Sequence, residues 1–153
     1  MPSSSSASDL TAHLGFWLRA VSNHVSQAFA GKLAAKGVTV AEWVMLRTLY
    51  GKEPMPPSRL AAEMGMTRGA ITKLADRLIA KMLVVRKADR HDGRAQTISI
   101  TTRGSKLVPE LAALADRNDA EFFGHLNASE RKTLERLLKR LVKRGGMTAM
   151  PTE

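Results

Sequence analysis

The chain has 153 residues, 24 Lys and Arg against 14 Asp and Glu, a net charge of +10 and no cysteine. The length fits one compact domain with an oligomerisation arm, and 44% hydrophobic with 25% charged residues marks a globular chain rather than a disordered one. The missing cysteines exclude disulfides, zinc ribbons, iron–sulfur clusters and thiol switches, and no apolar run approaches the ~18–20 residues of a membrane-spanning helix.

The polar start Met1–Ser8 lacks the basic and apolar segments of a secretion signal, so a cytoplasmic location is expected. So basic a chain favours a polyanionic partner, nucleic acid before an anionic membrane surface. Residues 1–9, with the serine run Ser3–Ser6, read as a disordered tail, and so do 145–153 beyond Gly145 and Gly146.

Between the tails the apolar spacing alternates between helical and strand periods. Leu14, Leu18, Val21, Val25 and Phe29 predict one helix from about Leu10 to Ala35, closed by Gly37. Thr39 then caps a helix carrying Trp43, Leu46, Leu49 and Tyr50, and the prolines of Gly51–Pro57 form a loop. Ser58 is expected to cap a short helix with Leu60, Ala61 and Met64, broken at Gly65. Thr67 caps a longer one whose buried face is Ile71, Leu74, Ala75, Leu78 and Met82.

The period changes at Leu83–Val85 and again at Thr97–Thr101, giving two strands around the charged tip Asp89–Arg94. Thr102 opens a further helix with Leu107, Leu111, Leu114 and Phe122 on its inner side and Pro109 read as lying near its start. Asn127 and Glu130 form a capping box for a last helix striped by Leu134, Leu137, Leu138, Leu141 and Val142.

Two helices meeting at Gly65 followed by a basic hairpin describe a winged helix-turn-helix. The outer face of the second helix offers Thr67, Arg68, Gly69, Thr72, Lys73, Asp76 and Arg77. Small residues let a backbone enter the major groove, and Arg68, Thr72, Lys73 and Arg77 supply donors for base edges or phosphates. An ordinary solvated helix is the plain alternative. Charge tips the balance, because Met64–Arg103 holds nine basic residues against three acids, and phosphate neutralisation dominates DNA affinity. Arg90 and Arg94 at the hairpin tip suit a minor groove, with Asp92 or Asp89 placed to orient an arginine by a bidentate pair.

The first and last helices carry apolar stripes that need a partner. They are expected to pack together and against a second copy. His13 with Trp17, and Trp43 with Arg47, are each one turn apart and suit an aromatic carboxylate, though core packing explains the tryptophans as well. No metal spacing, nucleophile–base pair or phosphate-cradling loop is evident, so no metal, no cofactor and no enzymatic activity are expected.

The run Ser58–Leu74, the segment Leu78–Arg86, the tip Asp89–Arg94 and the exit Ile98–Gly104 together resemble the MarR (multiple antibiotic resistance regulator) family. The resemblance implies a mainly α fold with a small two- to three-stranded β wing. An N-terminal dimerisation helix (10–36), a winged helix-turn-helix lobe (38–103) and C-terminal dimerisation helices (104–144) would make it up. It further implies a homodimeric repressor of a pseudo-palindromic double-stranded DNA operator, with Arg94 reaching the minor groove and release by a small aromatic or phenolic anion. A non-specific architectural DNA-binding protein is the alternative, and no membrane partner is expected.

Overall fold

The computed structural model describes residues 6–147 and 150–153; the tail expectations for 1–5 and 148–149 lie outside the described residues. After a 3-10 turn at Leu10–Ala12 come α1 (Leu14–Ala34), α2 (Val40–Leu49), α3 (Pro57–Met64), α4 (Arg68–Ala80), β1 (Val84–Ala88), β2 (Gln96–Ile100), α5 (Thr102–Phe123) and α6 (Ala128–Arg144). β1 and β2 pair antiparallel from Val84 opposite Ile100 to Ala88 opposite Gln96. Met55 adds a single bridge beside them, exchanging backbone hydrogen bonds with Ile98 at 2.9 and 2.7 Å. The wing is thus two strands and one extra bridge.

Local chemistry sets most boundaries. Thr39 and Asn127 each close a full capping box, with Glu42 and Glu130 respectively. The hydroxyls of Thr67 and Thr101 accept from the amides of Ala70 and Gly104. Gly37 and Gly65 end α1 and α3 in the left-handed region. Around each, two amides turn back onto helix carbonyls, Val38 to Leu33 and Met66 to Ala61 being the longer-range pair.

Four sequence expectations need correction. The first helix does not run unbroken from Leu10, because His13 is extended. The Thr11 carbonyl, which a continuous helix would bond to residue 15, instead accepts the Trp17 indole N–H at 2.9 Å. Ser58 is not a cap. Pro56 holds that position and Pro57 opens α3, its missing N–H costing nothing at the first helical residue. Pro109 is the eighth residue of α5, inside the helix rather than near its start. It is exposed, so water can replace the amide that the Ser105 carbonyl lacks.

Met82, read as core, is the fourth. It is 63% exposed at φ +59°, a non-glycine residue in the left-handed turn that ends α4. Leu83 N–H returns to the Leu78 carbonyl and Met82 N–H to that of Ile79, the same geometry that glycine adopts after α1 and α3. Met82→Gly is therefore expected to raise stability by about 0.5–1 kcal/mol, read as a higher urea midpoint. An unchanged or lowered midpoint would show that the Met82 side chain is held by contacts that outweigh the strain.

The core lies in the central lobe. Met45, Leu46 and Leu49 of α2, Leu60 and Met64 of α3, Ile71 and Leu78 of α4, Ile98 of β2 and Leu111 of α5 are fully buried. α1 contributes only Leu33 to it, and α6 has no buried residue. Within the single chain α1 packs chiefly along α5. The buried Asn118 fastens the two helices. Its amide donates to the Val25 carbonyl at 3.1 Å and its oxygen accepts from Lys32 at 2.9 Å, while Lys32 also pairs with Glu121 at 2.8 Å. α6 is tied to α5 by Arg131 on Asp119 at 2.7 Å.

Candidate nucleic-acid interface

α4 and the hairpin present the basic residues picked out by sequence, and the ion pairs sort them into two groups. Arg77 and Lys81, near the end of α4, converge on the fully buried carboxylate of Glu42, at 3.1 and 2.7 Å. Arg77 also donates to Thr39 Oγ1, and Lys81 to the Gly37 carbonyl at 2.8 Å. Burial pushes the Glu42 carboxyl upward, but the hydrogen bonds from Lys81, Arg77 and Thr39 and the Lys81 charge outweigh it and hold the group below its ordinary value. Arg77, read as a base-edge donor, is thus held in a structural clamp. Arg86 is likewise engaged, with Asp76 at 2.7 Å, which fixes β1 to α4.

The second group is free. Among the described residues no carboxylate lies within ion-pair distance of Arg68 or Lys73 on α4, or of Arg90 or Arg94 on the wing, and all four are exposed. Arg68 and Lys73 are in the N-terminal half of α4, where exposed Gly69 keeps the surface low: a methyl added there would meet nothing within 4 Å. Thr67 is occupied as the cap. The Thr72 hydroxyl donates to the Arg68 carbonyl at 3.0 Å, so its oxygen remains available only as an acceptor.

The wing tip corrects the expected arginine–aspartate pair. Asp92 Oδ1 accepts from the backbone amide of Arg94 at 3.0 Å, and Asp89 Oδ1 from that of His91 at 2.8 Å. These Asx turns shape the loop and leave both guanidiniums unclaimed. The two acids act on the backbone, not on the arginine side chains.

The four residues proposed for an aromatic anion fall into two places. His13 and Trp17 are exposed at the start of α1, where Trp17 stacks edge-on against Phe16 at 5.2 Å. Trp43 packs partly buried on α2, and Arg47 lies 5.7 Å above the Tyr50 ring. A groove of about 340 Å³ runs past Trp43 and Arg47 to Glu63 and Met150, and neither His13 nor Trp17 lines it. Met150, in the expected C-terminal tail, donates its amide to the Met64 carbonyl at 3.4 Å.

Sequence reasoning missed Glu42, Lys81 and Asn118. The spacing Thr39-x-x-Glu42 was a visible capping-box signal for the first. Nothing local marks the others. No group of three or more His, Asp or Glu side chains among the described residues is placed to hold a metal, and no described helix is long and apolar enough to cross a membrane.

This architecture has known counterparts. Residues 36–95 match the profile of the MarR family. A transcriptional regulatory protein for the hcr operon of Thauera aromatica is 30% identical over 140 residues, 91% of this chain and 84% of that protein. The chain belongs to the MarR family of transcriptional regulators. An HTH-type transcriptional repressor of Mycobacterium tuberculosis is 27% identical over 130 residues, 85% of this chain and 94% of that protein. A mutant MarR from Escherichia coli complexed with operator DNA superposes with a TM-score of 0.74 at 26% identity, over 84% of this chain and 93% of that one. These relatives are transcriptional regulators, and the family profile spans α2, α3, α4, β1 and the wing loop up to the start of β2.

Proposed function

We propose that this MarR-family chain is a homodimeric repressor that recognises a pseudo-palindromic operator through α4 in the major groove and the wing in the minor groove. The observation that carries the reading is the group of unpaired cations: Arg68 and Lys73 on one helix and Lys87, Arg90 and Arg94 on the adjoining hairpin are exposed and, among the described residues, have no carboxylate within ion-pair distance, while Arg77, Lys81 and Arg86 are tied into the fold. Unpaired guanidinium and ammonium groups reach phosphate or base edges without first breaking an internal salt bridge. Thr67, Gly69 and Thr72 form the surface through which α4 approaches, and Asp92 shapes the loop that aims Arg94. Arg77 serves by anchoring α4.

Dimerisation is favoured by uncovered apolar faces on two helices. Leu14, Trp17, Leu18 and Val21 of α1 and Leu137, Leu138, Leu141 and Val142 of α6 are all exposed in the single chain. Faces of that kind are covered by a partner more often than by water. A two-fold copy sets two α4 helices about one turn of duplex, ~34–36 Å, apart. For release by a small aromatic anion, the groove at Trp43 and Arg47 offers an aromatic wall and a cation within one protomer. His13 and Trp17 join it only if a partner brings them there.

Footprinting on the DNA flanking the gene tests this reading. A bounded palindromic footprint supports it; even coverage of the whole duplex would instead favour an architectural protein. Two substitutions sharpen the test. Lys73→Ala is expected to weaken operator binding by about 1–3 kcal/mol and relax base preference in the half-site. Arg94→Ala is expected to weaken it chiefly on operators with A·T-rich flanks. Wild-type titrations by both variants would remove the contact assignment.

A further inference from the structure

A large share of the positive charge lies outside α4 and the wing. α6 carries seven cations against Glu130 and Glu135, a net +5 in a chain whose total is +10. Two of the seven are engaged, Arg131 by Asp119 and Lys139 by Glu135. Among the described residues Lys132, Arg136, Arg140, Lys143 and Arg144 have no carboxylate within ion-pair distance, and all five are exposed. Lys143 and Arg144 are in the last turn, where they offset the helix dipole. Lys132, Arg136 and Arg140 precede that turn and have no such role. Their spacing is costly as well. Lys132, Arg136, Arg140 and Arg144 form an unbroken i, i+4 row, and like charges at that spacing destabilise a helix. A face that needed only solubility could alternate acids and bases and gain helix stability. Lys139 and Lys143 widen the row into a stripe roughly 18 Å long, on the side of α6 opposite Leu134, Leu137, Leu138, Leu141 and Val142.

We propose that the basic face of α6 holds the phosphate backbone of a second DNA duplex and so bridges it to the duplex bound through α4 and the wing; the bridging rests on the operator reading above. Charge complementarity selects this partner. A duplex carries one negative charge for about every 1.7 Å of its axis, so a straight row of cations meets phosphates repeatedly along it. From Lys132 to Arg144 the helix has no glycine, alanine or serine, and nothing like Gly69 lets its backbone enter a groove. The contact is therefore with phosphates and independent of sequence. An anionic membrane fits less well. A helix lying in a membrane surface inserts its apolar side, commonly with aromatic residues. α6 contains no Trp, Tyr or Phe, and its apolar side is the one that the proposed dimer covers.

The placement of α6 separates the two duplexes. Arg131 ties its start to Asp119, roughly 26 Å along α5 from the base of the wing at Thr102. That half of α5 packs on α1, through the amide of Asn118 on the Val25 carbonyl. Lys132, next to Arg131, begins the stripe at the end of α5 remote from the wing.

A two-duplex capture experiment tests the surface. Beads carry a biotin-tagged fragment of the DNA flanking the gene, the full chain is loaded on them, and a fluorescent duplex of random sequence is added. The wild type is expected to retain the fluorescent duplex, and raised salt to release it. Lys132→Gln/Arg136→Gln/Arg140→Gln is expected to load on the beads as the wild type does and to retain at least about tenfold less fluorescent duplex. The same variant should melt no lower than the wild type, since a repulsive row has been removed. Lys73→Ala/Arg94→Ala keeps the two readings apart. Unchanged loading of that variant on the beads would defeat the operator reading, while the α6 comparison still decides the second surface. Equal retention by the wild type and the α6 variant, or no retention by the wild type, would overturn the proposal. Weaker loading of the α6 variant would place the stripe on the first duplex, and flotation of the wild type with phosphatidylglycerol vesicles in place of duplex retention would assign it to a membrane; either result would overturn the proposal as well.

Discussion

Gly104→Ala is expected to lower stability by about 3 kcal/mol, seen as a large fall in the urea midpoint with an unchanged slope. The added Cβ would lie 2.3 Å from the Leu83 carbonyl oxygen and 2.7 Å from Ile100 Cγ1. The first of these is backbone that has no freedom to retreat. Leu83 O accepts from Thr101 N at 3.1 Å, and the Thr101 hydroxyl, which donates to the Met82 carbonyl at 2.8 Å, also caps α5 through the Gly104 amide. Moving Leu83 away thus loosens the end of α4, the start of β1 and the cap of α5 at once. Gly69→Ala is the matching control. Gly69 is within a helix and a methyl there meets open space, so alanine should stabilise the fold by roughly 0.5–1 kcal/mol. On the proposed reading the same methyl stands between α4 and the groove, and operator affinity should fall while stability rises. A Gly104→Ala variant as stable as the wild type would mean that the junction is far softer than its hydrogen bonds imply.

The contrast between these two glycines shows where sequence reading works and where it stops. Both are visible in the sequence, one inside a helical pattern and one after a strand, and local pattern explains the elements around them. Thr39, Thr67 and Asn127 are legible as caps because the cap, the amide it accepts and the helix that follows are within a few residues of one another. The free cations on α4 and the wing are legible for the same reason, as charge density is a local property. What escaped depends either on a contact distant in sequence or on a local backbone turn that residue spacing does not encode. Arg77 is committed to Glu42, 35 residues earlier, and no helical wheel separates it from Lys73. His13 breaks the first helix because an indole four residues later takes a carbonyl. Met82 continues the apolar spacing of α4 on paper, yet the chain must reverse there to start β1, which throws the side chain outward. Asp92 looked like an arginine partner because both are at the hairpin tip, but a carboxylate two residues before an amide more readily closes an Asx turn.

The second large effect is expected at Glu42. Its carboxylate is fully buried and receives hydrogen bonds from Arg77, Lys81 and the Thr39 backbone amide, joining the start of α2 to the end of α4. Glu42→Ala removes the acceptor for all three donors. Deleting one member of a buried ion pair commonly costs 3–5 kcal/mol. The Arg77 and Lys81 side chains are 53% and 40% exposed and regain water, so about 2–3 kcal/mol is the appropriate expectation. The acid limb gives an independent reading. The folded-state value for Glu42 is below its ordinary 4.5, so the unfolded chain takes up this proton first as pH falls. Its contribution is fully present above pH 4.5, declines below it and is gone once pH passes below the folded value. Glu42→Gln should therefore narrow its stability deficit relative to the wild type as the solution is acidified through that window, a convergence visible in urea midpoints taken at a series of pH values. A constant deficit from neutrality into acid would mean that the charge on Glu42 contributes nothing and that the site is held by packing. Because the same carboxylate restrains the end of α4 whose other end carries Arg68 and Lys73, Glu42→Gln should also weaken operator binding under conditions where the variant is fully folded. A residue that contacts no DNA in the proposed complex would then be setting the angle at which the reading helix enters it.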